Sequence, residues 1–464
     1  MPASLAHAQQ LLLAAVRAAP RPYRMPPLPE HVDQSLAGGP QLTLAFVLDA
    51  VRAAVQAGQP APAPLQDVFT RALAQRIEAA LQPATGDPSF QALVLRRSHA
   101  EVDEYVRLRA HAAADRRRMR TTVDAIAHPG KLHGLAEGEV RDRLARLHEL
   151  ASASDWPRLR QAVLDALAPG PATAPMLQAP LQPLLDVAAL DRLVRAGELE
   201  EDEAVRRYRA LCSARGPLAG SPEAARMGRS AARTGHGAEQ RTLEVFARMA
   251  ALLEQHAGDR RRYRAVGRLR VPAGFPGDGG KAKDEWDAAI LANEEGSDGA
   301  EVLLLAEVKA APAAATTDYW RLLRGLQRLA QAEPGRVHEF ASATGPVRLG
   351  TDSLRRLLPP GDALPPQVIY CCPAGTFPPT PVLGPAADAV LLSEEASLQF
   401  AVECTQGRRP SEALLLPVWD ALPREPRLRS ALHQYRTASL AREAMLDPDD
   451  LLAALQQPGH AWAP

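Results

Sequence analysis

The strongest constraint on the fold of this chain is a pair of β-prone segments separated by a polar turn, between Asp284 and Lys309. The first segment reads Asp-Glu-Trp-Asp-Ala-Ala-Ile-Leu-Ala-Asn, and the second reads Glu-Val-Leu-Leu-Leu-Ala-Glu-Val-Lys. The turn between them, Glu-Glu-Gly-Ser-Asp-Gly, is rich in residues that reverse the direction of a chain. The pattern therefore predicts a β-hairpin.

The hairpin would bring three charged side chains together. If the turn is centred near Ser297, Asp287 lies opposite Glu307, because both are equally far from that centre. Cross-strand neighbours have Cβ atoms about 5 Å apart, and Lys309 points to the same face as Glu307 because side chains alternate along a strand. Two carboxylates and an ammonium group on an apolar sheet predict a site for a divalent cation and a phosphate.

A third carboxylate, Glu239, belongs to a helix predicted over about 238–256. It lies on the apolar stripe of that helix with Leu243, Phe246, Ala250 and Leu253. Because an unpaired charge that faces the interior is unfavourable, we expect Glu239 to meet either Lys309 or a metal ion. The preceding Gly-His-Gly at 235–237 is expected to let the backbone approach another element closely.

Lysine is scarce in this chain. Lys and Arg together number 54, but the lysines are only Lys131, Lys281, Lys283 and Lys309. Lysine can change its protonation state when it is buried, whereas arginine stays charged. A lysine on an otherwise apolar strand therefore indicates a chemical role for Lys309.

The hydrophobic pattern divides the chain into consecutive regions. Helical periodicity predicts an N-terminal helical domain over 1–170, a linker rich in Pro and Ala over 171–183, and a helical hairpin with a connector over 184–231. An α/β domain is predicted over 232–404 and a helical C-terminal segment over 405–464.

Further elements are predicted inside the α/β region. A strand near 262–271 is expected to place Tyr263, Ala265, Leu269 and Val271 on one side and its arginines on the other. A helix is predicted over 317–331, and the continuous apolar run 368–372 favours a strand covered on both faces. Residues 389–392 and 398–402 fit either strands or helices.

The charges balance at 54 basic and 54 acidic residues, so nucleic-acid binding would need a local patch. The helix over 317–331 offers one, because Arg321, Arg324 and Arg328 recur at helical spacing and Gln327 is on the same helix. These four residues are candidates for contacts with nucleic acid.

The location expected from the sequence is the cytoplasm. The adjacent Cys371 and Cys372 have neither a metal-binding spacing nor a disulfide pattern, which favours buried thiols in a reducing compartment. We see no signal peptide, and no apolar run approaches the ~18 residues of a membrane span. No membrane interaction is expected.

In the order of its elements, the region over about 232–375 resembles the PD-(D/E)xK nuclease superfamily. Glu239, Asp287, Glu307 and Lys309 match the helix acid, the two metal-binding acids and the catalytic lysine of that family, although Trp286 replaces the proline of its motif. The resemblance implies a restriction-endonuclease-like fold, in which helices flank a central mixed sheet. It also implies Mg²⁺ or Mn²⁺ as cofactor, bound by Asp287 and Glu307 with help from Glu239, and hydrolysis of phosphodiester bonds, usually in DNA rather than RNA.

Two alternatives stay open at this point. One is a member of the same fold that does not cleave nucleic acid. The other is a helix-rich adaptor, in which the α/β region is structural and the helical N-terminal region binds a protein partner.

Overall fold

A computed structural model describes most of the chain. The described residues are 5–168, 181–182, 184–185, 188–216, 221–257, 261–294, 296, 298–375 and 380–457. The predicted linker over 171–183 lies outside them apart from Leu181 and Gln182, and Ser297, the expected centre of the hairpin turn, also lies outside them.

The first part of the chain is helical, as the sequence predicts. Its helices are α1 (Leu5–Ala18), α2 (Val32–Ala37), α3 (Pro40–Gln56), α4 (Leu65–Leu81), α5 (Pro88–Ser98), α6 (Ala100–Ala127), α7 (Pro129–Leu132), α8 (Glu139–Ala153), α9 (Trp156–Leu167), α10 (Ala188–Leu199) and α11 (Glu203–Ala214).

Strands and helices then alternate. The next elements are α12 (Pro222–Ala257), β1 (Arg261–Arg270), β2 (Glu285–Glu294), β3 (Glu301–Val308), α13 (Ala314–Leu329), β4 (Val337–Phe340), β5 (Val347–Gly350), α14 (Thr351–Arg355) and β6 (Val368–Cys371). The last ones are α15 (Pro385–Leu392), α16 (Glu395–Thr405), α17 (Leu416–Ala421), α18 (Arg429–Leu432), α19 (Gln434–Glu443), β7 (Met445–Leu446) and α20 (Pro448–Gln456), with 3₁₀ turns at Glu412–Leu415 and Pro426–Leu428.

The chain forms two compact units. The sheet unit combines residues 1–76, 218–391 and 412–464, and the helical unit combines 77–217 and 392–411. Both units are assembled from segments that are distant in sequence, whereas the sequence led us to expect consecutive domains. The reason is hydrophobic: α1 buries its apolar stripe in the same core as the strands, so the N-terminal residues belong to the sheet unit.

The sheet unit is built around a mixed sheet of five strands in the order β1-β2-β3-β6-β7. The pairs β1–β2 and β2–β3 are antiparallel, and β3–β6 and β6–β7 are parallel. Helices α1, α12 and α20 share one apolar core with the sheet, and α13 and α19 share the other. The multi-domain α/β architecture with a helical N-terminal region and flanking helices is therefore present.

The predicted hairpin register is confirmed. Ala288 pairs with Ala306, and the same register sets Asp287 opposite Glu307. The register shifts between Ile290 and Leu291, nearer the turn. That irregularity lies on the turn side of the acidic pair, and the ladder keeps its register from Ile290 to its last paired residues, Ala288 and Ala306.

The prediction for the faces of β1 is wrong in one respect. Tyr263 packs in the core with α12, but Leu269 and Val271 pack in the opposite core with α13. Arg268 has a positive φ of 54°, and the β1–β2 pairing skips it. This left-handed residue changes the phase of the strand, which moves the later side chains to the other face.

Two other elements differ from the expectations, and two assignments that the sequence left open are decided. Helix α12 begins at Pro222 rather than near residue 238, and the ambiguous segments at 389–392 and 398–402 are helical. The C-terminal segment contributes β7, a strand of two residues at the sheet edge. A strand this short has no recognisable period, so its pairing is set by the exposed edge of β6.

The helical unit has its own core, formed mainly by apolar residues of α6, α8, α9 and α10. Buried Asp115 on α6 accepts two hydrogen bonds from Arg192 on α10, at 2.6 and 2.8 Å. Helices α8 and α9 lie within the region 1–170 that the sequence predicts to be helical. No described helix is both long and apolar enough to span a membrane.

Replacing Gly325 on α13 with alanine should destabilise the sheet unit. A Cβ at this position would lie 2.7 Å from the backbone oxygen of Lys283, so one of the two segments must shift. We expect a loss of about 1–3 kcal/mol in the free energy of unfolding, measured by urea denaturation.

Gly228→Ala on α12 is the matched control. A Cβ there meets nothing within 4 Å, so we expect no loss of stability and a gain of up to about 1 kcal/mol from the better helix propensity of alanine. Equal effects of the two substitutions would contradict the close packing of α13 on Lys283.

Candidate active site

The predicted charged residues gather at one edge of the sheet. Lys309 follows the end of β3, and its backbone N–H donates to the Cys371 carbonyl at the end of β6. Because β3, β6 and β7 are parallel, their carboxyl ends meet at this edge, which is where open α/β sheets usually bind ligands. The antiparallel β2 begins at the same edge and contributes Asp287.

The centre of the cluster is the carboxylate of Glu307. The residue is only 2% exposed. Its Oε1 accepts hydrogen bonds from Lys309 Nζ and from Lys283 Nζ, both at 2.8 Å. The prediction that Glu307 and Lys309 share a face is confirmed by this direct contact. A carboxylate held by two ammonium groups satisfies the rule that buried charges are paired.

Asp318 on α13 completes the network. Its Oδ2 lies 2.9 Å from Lys309 Nζ and 3.9 Å from Lys283 Nζ. The two lysines therefore bridge a strand carboxylate and a helix carboxylate. This geometry fixes the direction of the Lys309 side chain, because both of its carboxylate partners belong to rigid elements.

The sequence analysis did not assign a role to Lys283 or Asp318. Lys283 carried a signal, since it is one of the four lysines of the chain. Asp318 has the same sequence feature that identified Glu239, a charged residue on the apolar stripe of a helix. It lies among Ala315, Tyr319 and Leu322 on the buried side of α13. A charged residue on an apolar helical stripe needs a partner, and here the partner is Lys309.

Asp287 lies at the end of the β2–β3 ladder. Beyond the last paired residues, Ala288 and Ala306, its Oδ2 accepts a hydrogen bond from the Val308 N–H at 2.7 Å. Trp286 and Ala289 pack in one core and Ala288 in the other, so the strand is irregular at Asp287. The carboxylate thus takes the place of a backbone acceptor and leaves its Oδ1 for another partner.

Glu239 lies apart from the lysines. It follows Ala238, which packs in the core on the other side of the sheet from α13, and its side chain is about one-third exposed (37%). Its nearest basic neighbour is His236, at 4.0 Å. The expectation that Glu239 meets Lys309 is wrong, since Lys309 is engaged by Glu307 and Asp318.

Burial and neighbouring charges shift the protonation of the acids. Burial, followed by the charge of Asp287, raises the pKa of Glu307 to about 8 despite its two lysines. Burial and then Asp287 also raise the pKa of Glu239. The charge of Asp287 thus reaches acids on both sides of the sheet, which fits a position between them.

Two further members of the network, Lys309 and Asp318, stay charged. Burial opposes the charge on Lys309, but Glu307 and Asp318 together raise its pKa above the ordinary value. Burial likewise opposes the charge on Asp318, but the hydrogen bond from Lys309 and the charges of Lys309 and Lys283 together outweigh it, so the pKa of Asp318 is lowered. Lys309 is therefore a fixed ammonium group at neutral pH.

The carboxylate oxygens of this cluster meet some of the requirements of a divalent-cation site. Glu307 Oε2 is buried and has no hydrogen-bond partner among the described residues. Asp287, Glu239, Glu307 and Asp318 supply four carboxyl groups, against two lysines. Within the described residues, however, no three His, Cys, Asp or Glu side chains form a metal-binding group. Mg²⁺ needs few protein oxygens because it retains several waters.

The arginines proposed for nucleic-acid contacts are engaged within the chain. Arg324 donates to the Lys281 carbonyl at 3.0 Å, and Arg328 donates to the Phe275 carbonyl at 3.1 Å. Arg321 lies 3.6 Å from Asp284. Gln327 is exposed, away from the lysine network. The row holds the segment before β2 against α13.

A cleft of about 760 Å³ opens at the same edge of the sheet. Its lining includes Pro312, shortly after Lys309, and Arg442, which is 4% exposed. Asp447, Asp449 and Asp450 also line it. The mixture of signs gives this cleft no clear preference for an anion or a cation. Cys371 and Cys372, behind it, are buried free thiols, as expected.

No family model, curated protein or solved structure matches this chain.

Glu307→Gln should change how stability depends on pH. In the folded protein Glu307 keeps its proton up to about pH 8, but in the unfolded chain a glutamate loses it near pH 4.5. The folded state binds more protons between these values, so stability falls as pH rises through this range. Glutamine does not titrate, and the variant should gain stability relative to the natural protein between pH about 5 and about 9.

The measurement is urea denaturation of both proteins across this pH range. Asp287→Asn provides the companion test, because removing its charge lowers the Glu307 pKa and ends the fall in stability at a lower pH. Parallel pH profiles for the natural protein and Glu307→Gln would contradict the burial of a protonated Glu307.

Proposed function

We propose that the sheet unit is a metal-dependent nuclease of the PD-(D/E)xK type, with a restriction-endonuclease-like fold, which hydrolyses phosphodiester bonds in DNA. The observation that carries the proposal is the lysine-bridged carboxylate of Glu307, next to Asp287 at the ligand-binding edge of the sheet. It is supported by the order of elements from α12 to β6.

The energetics of the cluster favour a chemical role. Removing an ion from water costs several kcal/mol even inside a real protein, and an apolar core of the same volume avoids that cost. Two of the four lysines of the chain nevertheless join this cluster: Lys283 is buried with Glu307, and the side chains of Lys309 and Asp318 are 17% and 13% exposed. Perturbed ionisable groups that converge in this way are typical of active sites.

Each residue has a proposed role. Glu307, through its free Oε2, and Asp287 would bind Mg²⁺ or Mn²⁺, with Glu239 assisting from the other side. The bound ion would neutralise charge on the phosphate and acidify a coordinated water. Lys309, oriented by Asp318, would hold the attacking water or donate to a phosphate oxygen while the phosphorus–oxygen bond to the leaving group breaks. Lys283 is proposed to keep Glu307 in position.

One observation favours a non-catalytic alternative. Both lysines contact the same oxygen of Glu307, and no metal-binding group of three is present among the described side chains. A closed ion network of this kind also suits a member of the fold that only binds or scaffolds, or an adaptor whose helical region contacts a protein.

Cleavage of DNA by the purified chain tests the proposal. With Mg²⁺ or Mn²⁺, we expect the natural protein to cut DNA and Lys309→Ala and Asp287→Asn to lose about 10²-fold or more in rate. Lys131→Ala, a lysine of the helical unit, is the matched control and should retain the full rate. Gel analysis of labelled DNA measures the cleavage rates of the natural protein and of the variants.

A negative result has a defined meaning. If the natural protein leaves single-stranded and duplex DNA and RNA intact with either ion, the nuclease proposal is rejected in favour of the non-catalytic alternative.

Proton release gives a second test that needs no substrate. Metal binding requires a deprotonated carboxylate, and burial raises the Glu307 pKa to about 8. Adding Mn²⁺ near neutral pH should therefore release a proton from the natural protein and none from Glu307→Gln. Calorimetry in two buffers of different ionisation enthalpy measures the release, and equal release from both proteins would exclude Glu307 as a ligand.

A further inference from the structure

The first turns of helix α12 project from the sheet unit without a packing partner. None of the residues 222–237 is buried, and the first buried residue of the helix is Ala238. From there on, the helix packs into the core through Val245, Phe246 and Met249. We call residues 222–237 the arm. The arm lacks the tertiary contacts that stabilise most helices, and an isolated helix of this length is only marginally stable in water.

The arm has one basic face. Arg226, Arg229 and Arg233 follow one another at steps of three and four, which places them on the same side of the helix. Two further steps of three lead through His236 to Glu239. The arginine row therefore ends within two helical turns of Glu239, which lies about 120° around the helix from Arg233.

The arginines of the arm differ from those of α13 in having few partners. Arg226 lies 3.0 Å from Glu223, an exposed neighbour on the same helix. Arg229 and Arg233 form no ion pair with the described residues and are exposed. By contrast, Arg324 and Arg328 donate to backbone carbonyls of their own unit. The arm is thus the basic surface beside the site that is free to bind an anion.

Most of the remaining residues of the arm are small, the larger ones being Pro222, Glu223, His236 and the exposed Met227. Gly228, Gly235 and Gly237 have open space where a Cβ would be, so the chain itself does not require glycine there. Each helical glycine costs up to about 1 kcal/mol relative to alanine. The expectation that 235–237 allows close approach to another element of this chain is therefore wrong. A helix with three glycines and with two arginines that form no ion pair among the described residues is instead suited to close approach by a partner.

We infer that the arm binds the phosphate backbone of duplex DNA and directs the duplex toward Glu239 and Asp287. The inference rests on the proposed nuclease function. At 1.5 Å per residue the arm is about 24 Å long, which spans roughly seven base pairs. The major groove of B-form DNA, about 12 Å wide, admits an α-helix, whereas the deep and narrow major groove of A-form RNA does not. The positive charge of the arm and the fit of an α-helix in the major groove together favour duplex DNA as the partner.

The triple variant Arg226→Gln, Arg229→Gln and Arg233→Gln tests the arm. Binding to a fluorescent DNA duplex is measured by anisotropy in EDTA, where metal-dependent cleavage does not occur, at several salt concentrations. Each phosphate contact contributes about 0.9 to the slope of log affinity against log salt, so the slope should decrease by up to about 2.7. Affinity should fall at every DNA sequence alike, because phosphate contacts carry no base information.

Three exposed arginines of α6 in the helical unit provide the control. Arg117→Gln, Arg118→Gln and Arg120→Gln remove the same total charge and should leave the slope unchanged. Circular dichroism and urea denaturation establish that both triple variants are folded. Equal loss of slope in the two variants would overturn the inference, because it would show a general charge effect.

The arm and the nuclease proposal fail separately. If the natural protein cuts DNA and the arm variant keeps its affinity and its salt dependence, DNA binding by the arm is rejected and the nuclease proposal stands. If the salt dependence of the arm variant decreases but the natural protein cuts nothing, DNA binding by the arm stands and the nuclease proposal is rejected. Arm-dependent binding of duplex RNA or single strands as tight as that of duplex DNA would overturn the choice of partner.

Discussion

The buried carboxylate of Glu307 is the contact on which the sheet unit is organised. Through Lys283 and Lys309 it joins three separate segments: the residues before β2, the end of β3 and the first turns of α13. The segment before β2 also packs against Gly325, where α13 comes close to the Lys283 backbone. Removing one partner would leave another charge buried without compensation, which typically costs 3–5 kcal/mol. The network therefore sets the position of α13 as well as the chemistry of the sheet edge.

The sequence predicts the local part of this arrangement and misses the part that depends on tertiary contacts. The hairpin register follows from two apolar segments around one turn, so the neighbourhood of Asp287 and Glu307 could be derived. Asp318 could not be placed, because which helix covers Lys309 depends on packing across the sheet. The change of face in β1 also escaped prediction, since a single left-handed arginine leaves no mark on the hydrophobic pattern. Helix α12 was predicted too short because its first turns lack an apolar stripe.

The two rows of arginines show what spacing can and cannot tell. The arginines of α13 and those of the arm recur at the same helical intervals, so the sequence gives them equal weight. In the structure the first row is tied to carbonyls and to Asp284, and the second faces solvent. Periodicity assigns residues to a side of a helix, but only the fold decides whether that side already has a partner.

The C-terminal segment has a consequence for the order in which the protein folds during synthesis. Strand β7 pairs with β6, and α20 packs with α1 in one core, so residues 445–456 join elements that are synthesised much earlier. The sheet unit cannot close until these residues leave the ribosome. The helical unit, whose main segment 77–217 is continuous, is complete much earlier apart from α16. Nascent chains should therefore contain a folded helical unit while the edge of β6 is still unpaired. Chaperone binding is favoured at this stage.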